Sequence, residues 1–148
     1  MSANFISKAT VTIDAPAAKV WHALTSPEMI REYLFGTQVE TDWRIGSDIV
    51  WRGEYQGQSY EDKGKILQVL PDKLLQHTYH SSMSAIEDQP ENYFNVTYEL
   101  EESDGQTTVT LTTSNLPDEN SVEHSEKNWQ GVLMKLKDVV ERQPENVS

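Results

Sequence analysis

Large aromatic side chains are the residues of this sequence best able to bind a small molecule. Strand alternation and helix phase direct most of them towards one interior space. Apolar ring surfaces with a few polar tips are the usual lining of a small-molecule site. The alternative interpretation is that the rings only fill the core. The set consists of Trp43, Trp51, Tyr55, Tyr79, Phe94, Tyr98 and Trp129.

His77 is the histidine best placed to take part in chemistry. It falls on the same predicted strand face as Tyr79, where it could orient a ligand or exchange a proton. A lone histidine of this kind is more often a hydrogen-bonded core residue. The next histidine, His80, is predicted to face outward. The spacing of the four histidines matches no metal-binding pattern.

Carboxylates could act as an acid–base pair only if they converge. Glu54, Glu61 and Asp62 occupy neighbouring strand positions, but alternation places Glu54 outside. Four acids around a predicted hairpin are most simply a solvated sheet edge: Glu99, Glu101, Glu102 and Asp104. No nucleophile elbow, phosphate-binding glycine loop or carboxylate-rich metal loop is present. We therefore expect no catalytic residue, cofactor or metal, and a non-enzymatic protein is favoured.

The segment from Ser121 to Arg142 is the element around which the chain is organised. Its apolar residues recur at spacings of a single helix face, which predicts a long amphipathic helix. Gly131 lies inside this helix, where glycine costs about 1 kcal/mol relative to alanine, so a close neighbour or ligand is expected there. The stripe comprises Trp129, Val132, Leu133, Leu136, Val139 and Val140.

The upstream chain predicts one strand, two short helices and about six further strands. Phe5 to Ile13 alternates as a half-buried strand. Asp14 is the expected N-cap of a helix that ends near Thr25, and Ser26-Pro27 begins a second helix that ends at Gly36. The strands that follow are predicted at 39–43, 48–55, 60–70, 74–81, 93–100 and 107–113, with a polar loop at 82–92 and a hairpin at Asp104-Gly105.

Composition limits the classes of partner. The 148 residues include 24 acids and 12 bases, and the formal net charge is −12. This balance disfavours nucleic acid and anionic membranes, which require clustered Lys and Arg. The absence of cysteine removes disulfides and thiolate chemistry. We expect a single cytoplasmic domain with a core at about 5–142 and a disordered tail at 143–148.

Several segments resemble a known family. The first is Ile13-Asp14-Ala15-Pro16 with Val20-Trp21-His22-Ala23-Leu24-Thr25-Ser26-Pro27-Glu28. Others are Gly64-Lys65-Ile66, Val96-Thr97-Tyr98-Glu99-Leu100, the Thr-rich strand 107–113, and Trp129 leading to Leu133, Leu136, Lys137 and Glu141. Together they resemble the activator of Hsp90 ATPase homologue 1-like family, within the START/Bet v 1-like superfamily.

This resemblance implies an α+β helix-grip fold, in which a curved antiparallel sheet of about seven strands wraps the long C-terminal helix. It also implies a hydrophobic cavity between sheet and helix, so binding of a small hydrophobic molecule is the favoured function. The alternatives are a protein-binding module for an Hsp90-type chaperone and, less favoured, a cyclase, lyase or hydrolase that uses His77 and Tyr79. A monomer and a dimer are both compatible with it. The predicted lining is Trp43, Trp51, Tyr55, His77, Tyr79, Phe94, Val96, Tyr98, Trp129 and Leu133.

Overall fold

The computed structural model describes residues 5–34, 36–55, 57–80, 93–116 and 118–142, without the side chain of Tyr55. The predicted 82–92 loop and 143–148 tail lie outside these residues. The described elements are β1 Phe5–Ile13, α1 Ala17–Thr25, α2 Pro27–Tyr33, β2 Gln38–Glu40, β3 Asp48–Tyr55, β4 Gln58–Leu70, β5 Leu74–Tyr79, β6 Phe94–Ser103, β7 Gln106–Leu116 and α3 Glu119–Arg142.

The strands form one antiparallel sheet in the order β1-β7-β6-β5-β4-β3-β2. Helix α3 packs mainly against β1, α2 and β7. The strands β3, β4 and β5 therefore have less helix above them, and space remains on that side. The predicted α+β helix-grip fold with seven strands is confirmed. No helix in the described ranges is long and apolar enough to cross a membrane.

Helix α3 buries the predicted apolar stripe. Val132, Leu133, Leu136, Val139 and Val140 are all buried. The helix begins at Glu119, two residues before the predicted start, because Asp118 Oδ1 accepts a hydrogen bond from the Ser121 amide at 2.7 Å.

The expected close approach at Gly131 is wrong. A Cβ added to this glycine would meet no heavy atom within 4 Å, and the residue is exposed.

The start of α1 differs from the prediction. Asp14 does not cap the helix, because Pro16 occupies the N-cap position and no side chain of the N-cap residue makes a capping bond. Instead the Ala17 amide donates to Glu102 Oε1 of β6 at 2.7 Å. Glu102 was predicted to be a solvated residue at the sheet edge. Its carboxylate also accepts a hydrogen bond from an amide at the N-terminus of α1, which has no partner within the helix. The predicted start of α2 at Ser26-Pro27 is confirmed, with Ser26 at the N-cap.

The strand predicted at 39–43 is shorter than expected. It is the edge strand β2, which ends at Glu40, and Trp43 is not in a strand. The Trp43 amide donates to Thr41 Oγ1 at 3.4 Å, and the Arg44 amide donates to Asp42 Oδ1 at 3.1 Å. Such local side-chain bonds compete with strand pairing. They accompany a left-handed backbone at Trp43, with φ of 60°.

The Asp104-Gly105 hairpin prediction is confirmed. Both residues have positive φ, 53° and 79°, as the tight turn between paired strands β6 and β7 requires.

The prediction that His80 faces outward is wrong, because this residue is buried. Its side chain is 8% exposed, because its ring stacks on Tyr93 with centroids 5.1 Å apart.

Candidate ligand cavity

A cavity of about 630 Å³ lies between the sheet and the middle of α3. Strands β3 to β6 form its floor, and the C-terminal end of α2 and the middle of α3 form its walls. Exposed Glu54 and Asn128 mark its mouth, whereas buried Trp51, His77 and Tyr98 mark its inner part. The complete lining is Leu34, Thr37, Trp51, Glu54, Tyr60, Asp62, His77, Tyr79, Tyr98, Asn128, Trp129 and Val132.

The structure brings half of the predicted lining residues together. Trp51, His77, Tyr79, Tyr98 and Trp129 surround the cavity. All come from alternating positions of β3, β5 and β6 or from the apolar face of α3, so the strand and helix periods account for their placement.

The other predicted lining residues lie elsewhere. Trp43 borders a smaller space of about 20 Å³ that shares Trp51, His77 and Tyr98 with the main cavity. Val96 and Leu133 are packed in the core at 1% and 0% exposure.

Two further residues of the predicted lining, Phe94 and Tyr55, are not among the lining residues of the cavity. Phe94 is half-buried at the start of β6, opposite Tyr79 in the ladder, and does not line the cavity. The side chain of Tyr55 lies outside the described part of the chain.

Aromatic rings form a continuous inner wall. The Trp51 centroid lies 5.0 Å from that of His77 and 5.2 Å from that of Tyr79, and the His77 and Tyr98 centroids are 6.3 Å apart. The interplanar angles of these pairs are 50°, 63° and 37°. Offset and tilted contacts of this kind are favourable for aromatic pairs. The wall is therefore preorganised by packing of the rings on one another.

His77 presents a hydrogen-bond acceptor. Its Nδ1 lies 2.8 Å from the Thr78 carbonyl oxygen, which can only accept, so Nδ1 carries the proton. Burial lowers the pKa of His77 to about 4, although the bond to Thr78 opposes this shift. The ring is therefore neutral near pH 7, with an unprotonated Nε2. No described residue donates to Nε2.

Two buried phenols lie beside His77 at the inner end. Tyr98 borders both the main and the smaller space, and Tyr33 borders the smaller one. Burial raises the pKa of Tyr98. Burial, and then the neighbouring Tyr98, raise the pKa of Tyr33. Both hydroxyls are therefore neutral near pH 7, and neither is hydrogen-bonded to another described residue. The Tyr98 hydroxyl can donate to or accept from a molecule in the main cavity.

Asp62 places a carboxylate in the wall of the cavity. Its side chain is 7% exposed, and the Tyr79 hydroxyl donates to Oδ2 at 2.6 Å. From the sequence, Asp62 is only one of three neighbouring acids that would have to converge to form an acid–base pair. The structure does not bring its neighbour Glu61 to the cavity, because Glu61 is exposed and pairs with Arg52. Alternation with buried Gly64 and Ile66 was the signal that could have placed Asp62 inside.

The rim of the cavity depends on a glycine. Tyr60 lies over Gly53, its cross-strand partner, since a Cβ on Gly53 would come within 2.4 Å of the Tyr60 hydroxyl oxygen. This position lets the Tyr60 hydroxyl approach Thr37 Oγ1 at 2.5 Å. Five lining residues were not predicted as site residues. Three of them, Leu34, Thr37 and Tyr60, lie in a turn or near a strand end, where alternation carries little information. The other two are Asn128 and Val132 of α3.

The described lining carries polar groups beside its apolar surface. They are the hydroxyls of Thr37 and three tyrosines, the His77 imidazole, the Asn128 amide and the carboxylates of Glu54 and Asp62. In the part of the chain that the structure describes, no group of three or more His, Asp and Glu side chains could hold a metal ion. The cavity therefore offers a ligand apolar ring faces, neutral hydrogen-bonding groups and carboxylates.

Comparison with protein families identifies the relatives of this chain. Residues 14–141 match the model of the activator of Hsp90 ATPase homolog 1-like proteins. The chain belongs to this family. No curated protein matches the sequence significantly.

Solved structures of the same architecture include a protein 44% identical to this chain. It is ChR145 from Cytophaga hutchinsonii, with a TM-score of 0.82 over 95% of this chain and 97% of that one. The Aha1 dimer from Colwellia psychrerythraea is 20% identical, with a TM-score of 0.73 over 97% of this chain and 99% of its own. Ara h 8.0201 is 15% identical, with a TM-score of 0.74 over 95% and 100%. The latter two show a common fold only.

Proposed function

We propose that this protein binds a small, largely apolar molecule in the cavity between the sheet and α3. The observation that carries this proposal is the combination of about 630 Å³ of space with an aromatic wall. Natural ligand sites are typically clefts of about 300–1,000 Å³ with mostly apolar linings and a few convergent polar groups. A core that only needed filling would have no reason to keep this much space, because protein interiors pack closely.

The unpartnered polar atoms support the same proposal. Small-molecule sites usually combine an apolar lining with a few polar groups that can bond to the ligand. His77 Nε2 and the Tyr98 hydroxyl make no hydrogen bond to a described residue, and both belong to side chains at the inner end of the cavity. A bound molecule with a polar group would satisfy them.

A titration with aminoanthracene, a neutral fluorescent ring compound, tests the proposal. We expect saturable binding that is weakened at least tenfold in Val132→Trp, because the larger side chain fills the cavity from α3. Met134→Trp adds the same side chain to the exposed face of that helix and should leave binding unchanged. Asn128→Trp blocks the exposed mouth and provides a second test if Val132→Trp does not fold. Equal affinity in both blocking variants and the control would contradict the proposal.

A second candidate is binding to an Hsp90-type chaperone, which the family's name and the similarity to the Aha1 dimer favour. The net charge of −12 would direct such binding towards basic surfaces. Measurement of the host chaperone's ATPase rate with and without this protein tests this candidate. An unchanged rate at saturating protein, together with no co-purification, would exclude it.

A further inference from the structure

The inner end of the cavity carries two hydrogen-bonding atoms that no described residue satisfies. They are His77 Nε2 and the Tyr98 hydroxyl, on residues that are 5% and 6% exposed. Within the described ranges, Thr113 Oγ1 is the buried side-chain polar atom that has neither a partner nor access to solvent. The two unbonded atoms of His77 and Tyr98 are therefore open to a molecule the size of water. Both side chains line the main cavity and the adjoining smaller space, so this access comes from the cavity.

The two atoms differ in the hydrogen bonds that they can make. His77 Nδ1 donates to the Thr78 carbonyl, so Nε2 of the neutral ring can only accept. Burial lowers the pKa of His77 to about 4, which keeps the ring neutral near pH 7. Burial raises the pKa of Tyr98, whose hydroxyl can donate as well as accept. The two rings are neighbours, with centroids 6.3 Å apart, so one ligand group that both donates and accepts would complement them.

The inner end carries no charge that could pair with a charged ligand. The described lining of the smaller space contains no Asp, Glu, Lys or Arg, and the acids Glu54 and Asp62 border only the main cavity. All 12 Lys and Arg residues lie within the described ranges, and none of them lines either space. A carboxylate or ammonium group at the inner end would lose its hydration without gaining a charged partner, which is costly in an apolar site.

We propose that the ligand is a flat apolar ring compound with a neutral hydroxyl, which His77 and Tyr98 bind at the inner end of the cavity. This inference rests on the proposed small-molecule function and specifies its chemistry. The ligand hydroxyl donates its proton to His77 Nε2, and its oxygen accepts a hydrogen bond from the Tyr98 hydroxyl. The apolar body of the ligand packs against the rings of Trp51 and Trp129.

Four naphthalene probes that differ in one substituent test the inference. The first, 2-naphthol, has a neutral hydroxyl, whereas 2-methoxynaphthalene keeps the acceptor oxygen but has no proton to donate. The other two, 2-naphthoate and 2-naphthylmethylammonium, carry a negative and a positive charge. Calorimetric titration of the intact protein near pH 7 should show 2-naphthol binding at least about tenfold more tightly than each of the others, because an unpaired buried acceptor or charge opposes binding.

Two variants separate the roles of the two side chains. His77→Phe keeps an aromatic ring but removes the acceptor, so the preference for 2-naphthol over its methyl ether should fall to about threefold or less. Tyr98→Phe removes a donor to the oxygen that both probes share, so it should weaken both by about threefold to tenfold and leave their ratio nearly unchanged. His22→Phe on the surface of α1 and Tyr93→Phe outside the cavity lining are the matched controls and should keep the wild-type affinities.

Nitrogen-15 NMR of the imidazole provides a second measurement on the unaltered protein, which remains decisive if His77→Phe does not fold. The signal of a neutral ring nitrogen moves when that nitrogen accepts a hydrogen bond. We expect 2-naphthol to shift the His77 Nε2 signal in a saturable manner and 2-methoxynaphthalene to shift it much less.

The outcomes separate this inference from the proposed function. Equal binding of 2-naphthol and its methyl ether, or tighter binding of either charged probe, would overturn the selection of a neutral hydroxyl and leave the small-molecule function standing. An unchanged preference in His77→Phe, or an Nε2 signal that 2-naphthol leaves in place, would overturn the role of His77, and unchanged affinities in Tyr98→Phe would overturn that of Tyr98. Failure of all four probes while aminoanthracene binds would overturn the inference alone. Failure of aminoanthracene as well would overturn the small-molecule function and the inference with it.

Discussion

His77 is a buried, neutral histidine that contributes to the wall of the cavity. It packs between Trp51 and Tyr98, it donates to a backbone carbonyl, and its side chain lines the cavity. Burial disfavours the charged imidazolium, so the ring remains neutral over the physiological range. A neutral ring beside neutral phenols makes the inner end of the cavity polar without adding charge.

The titration of His77 predicts how stability depends on pH. Its pKa in the folded protein is about 4, below the 6.5 of an ordinary histidine. The unfolded chain binds more protons between these values, so the free energy of unfolding falls as the pH is lowered through this window. Urea unfolding at about pH 7 and about pH 5 should show a loss about 2 kcal/mol greater in the wild type than in His77→Gln.

The control for this experiment is the exposed His22. His22→Gln removes a histidine from the surface of α1 and should retain the wild-type dependence on pH. Identical pH dependence in the wild type and His77→Gln would contradict the proposed burial of a neutral ring at position 77.

At the scale of elements, two glycines have opposite roles. Gly64 in β4 lies against β5 so closely that an added Cβ would come within 1.9 Å of the Thr78 carbonyl oxygen. Gly131 in α3 faces open space. Alanine at position 64 must therefore separate two paired strands, whereas alanine at position 131 only restricts the unfolded chain and favours the helix.

Alanine substitution measures both effects. Gly64→Ala should lower the free energy of unfolding by about 2 kcal/mol or more, because the contact is with backbone that cannot move independently. Gly131→Ala should raise it by roughly 0.5–1 kcal/mol. Chemical denaturation checks both values, and a neutral or stabilising Gly64→Ala would show that the β4–β5 contact is looser than described.

The elements also show which features a sequence alone can predict. The long helix, the Asp104-Gly105 hairpin and the alternation of β5 and β6 follow from periodicity and turn chemistry, so the fold and half of the predicted lining were accessible. Asp62 was not assigned to the cavity, since a polar residue on an inward face contradicts the apolar pattern that defines that face. The cap of α1 by Glu102 joins residues 85 positions apart, and no local pattern predicts such a contact.

At the scale of the whole molecule, the cavity results from the way the long helix crosses the sheet. Helix α3 packs on the β1 and β7 side of the sheet and makes little contact with β3, β4 and β5 at the other side. The aromatic residues of β3, β5 and β6 line the remaining space without closing it. The fold that the chain shares with its family thus leaves space between sheet and helix, and the side chains of β3 to β6 determine how that space is lined.

The four tryptophans allow the central claim to be tested directly. Trp51 and Trp129 line the cavity, Trp43 borders the adjoining space, and Trp21 packs on the core away from both. Nitrogen-15 NMR resolves each indole N–H, and aminoanthracene is the titrant. We expect the Trp51 and Trp129 signals to shift in a saturable manner while the Trp21 signal stays in place. Equal shifts of all four signals, or a shift of Trp21 alone, would contradict binding in this cavity.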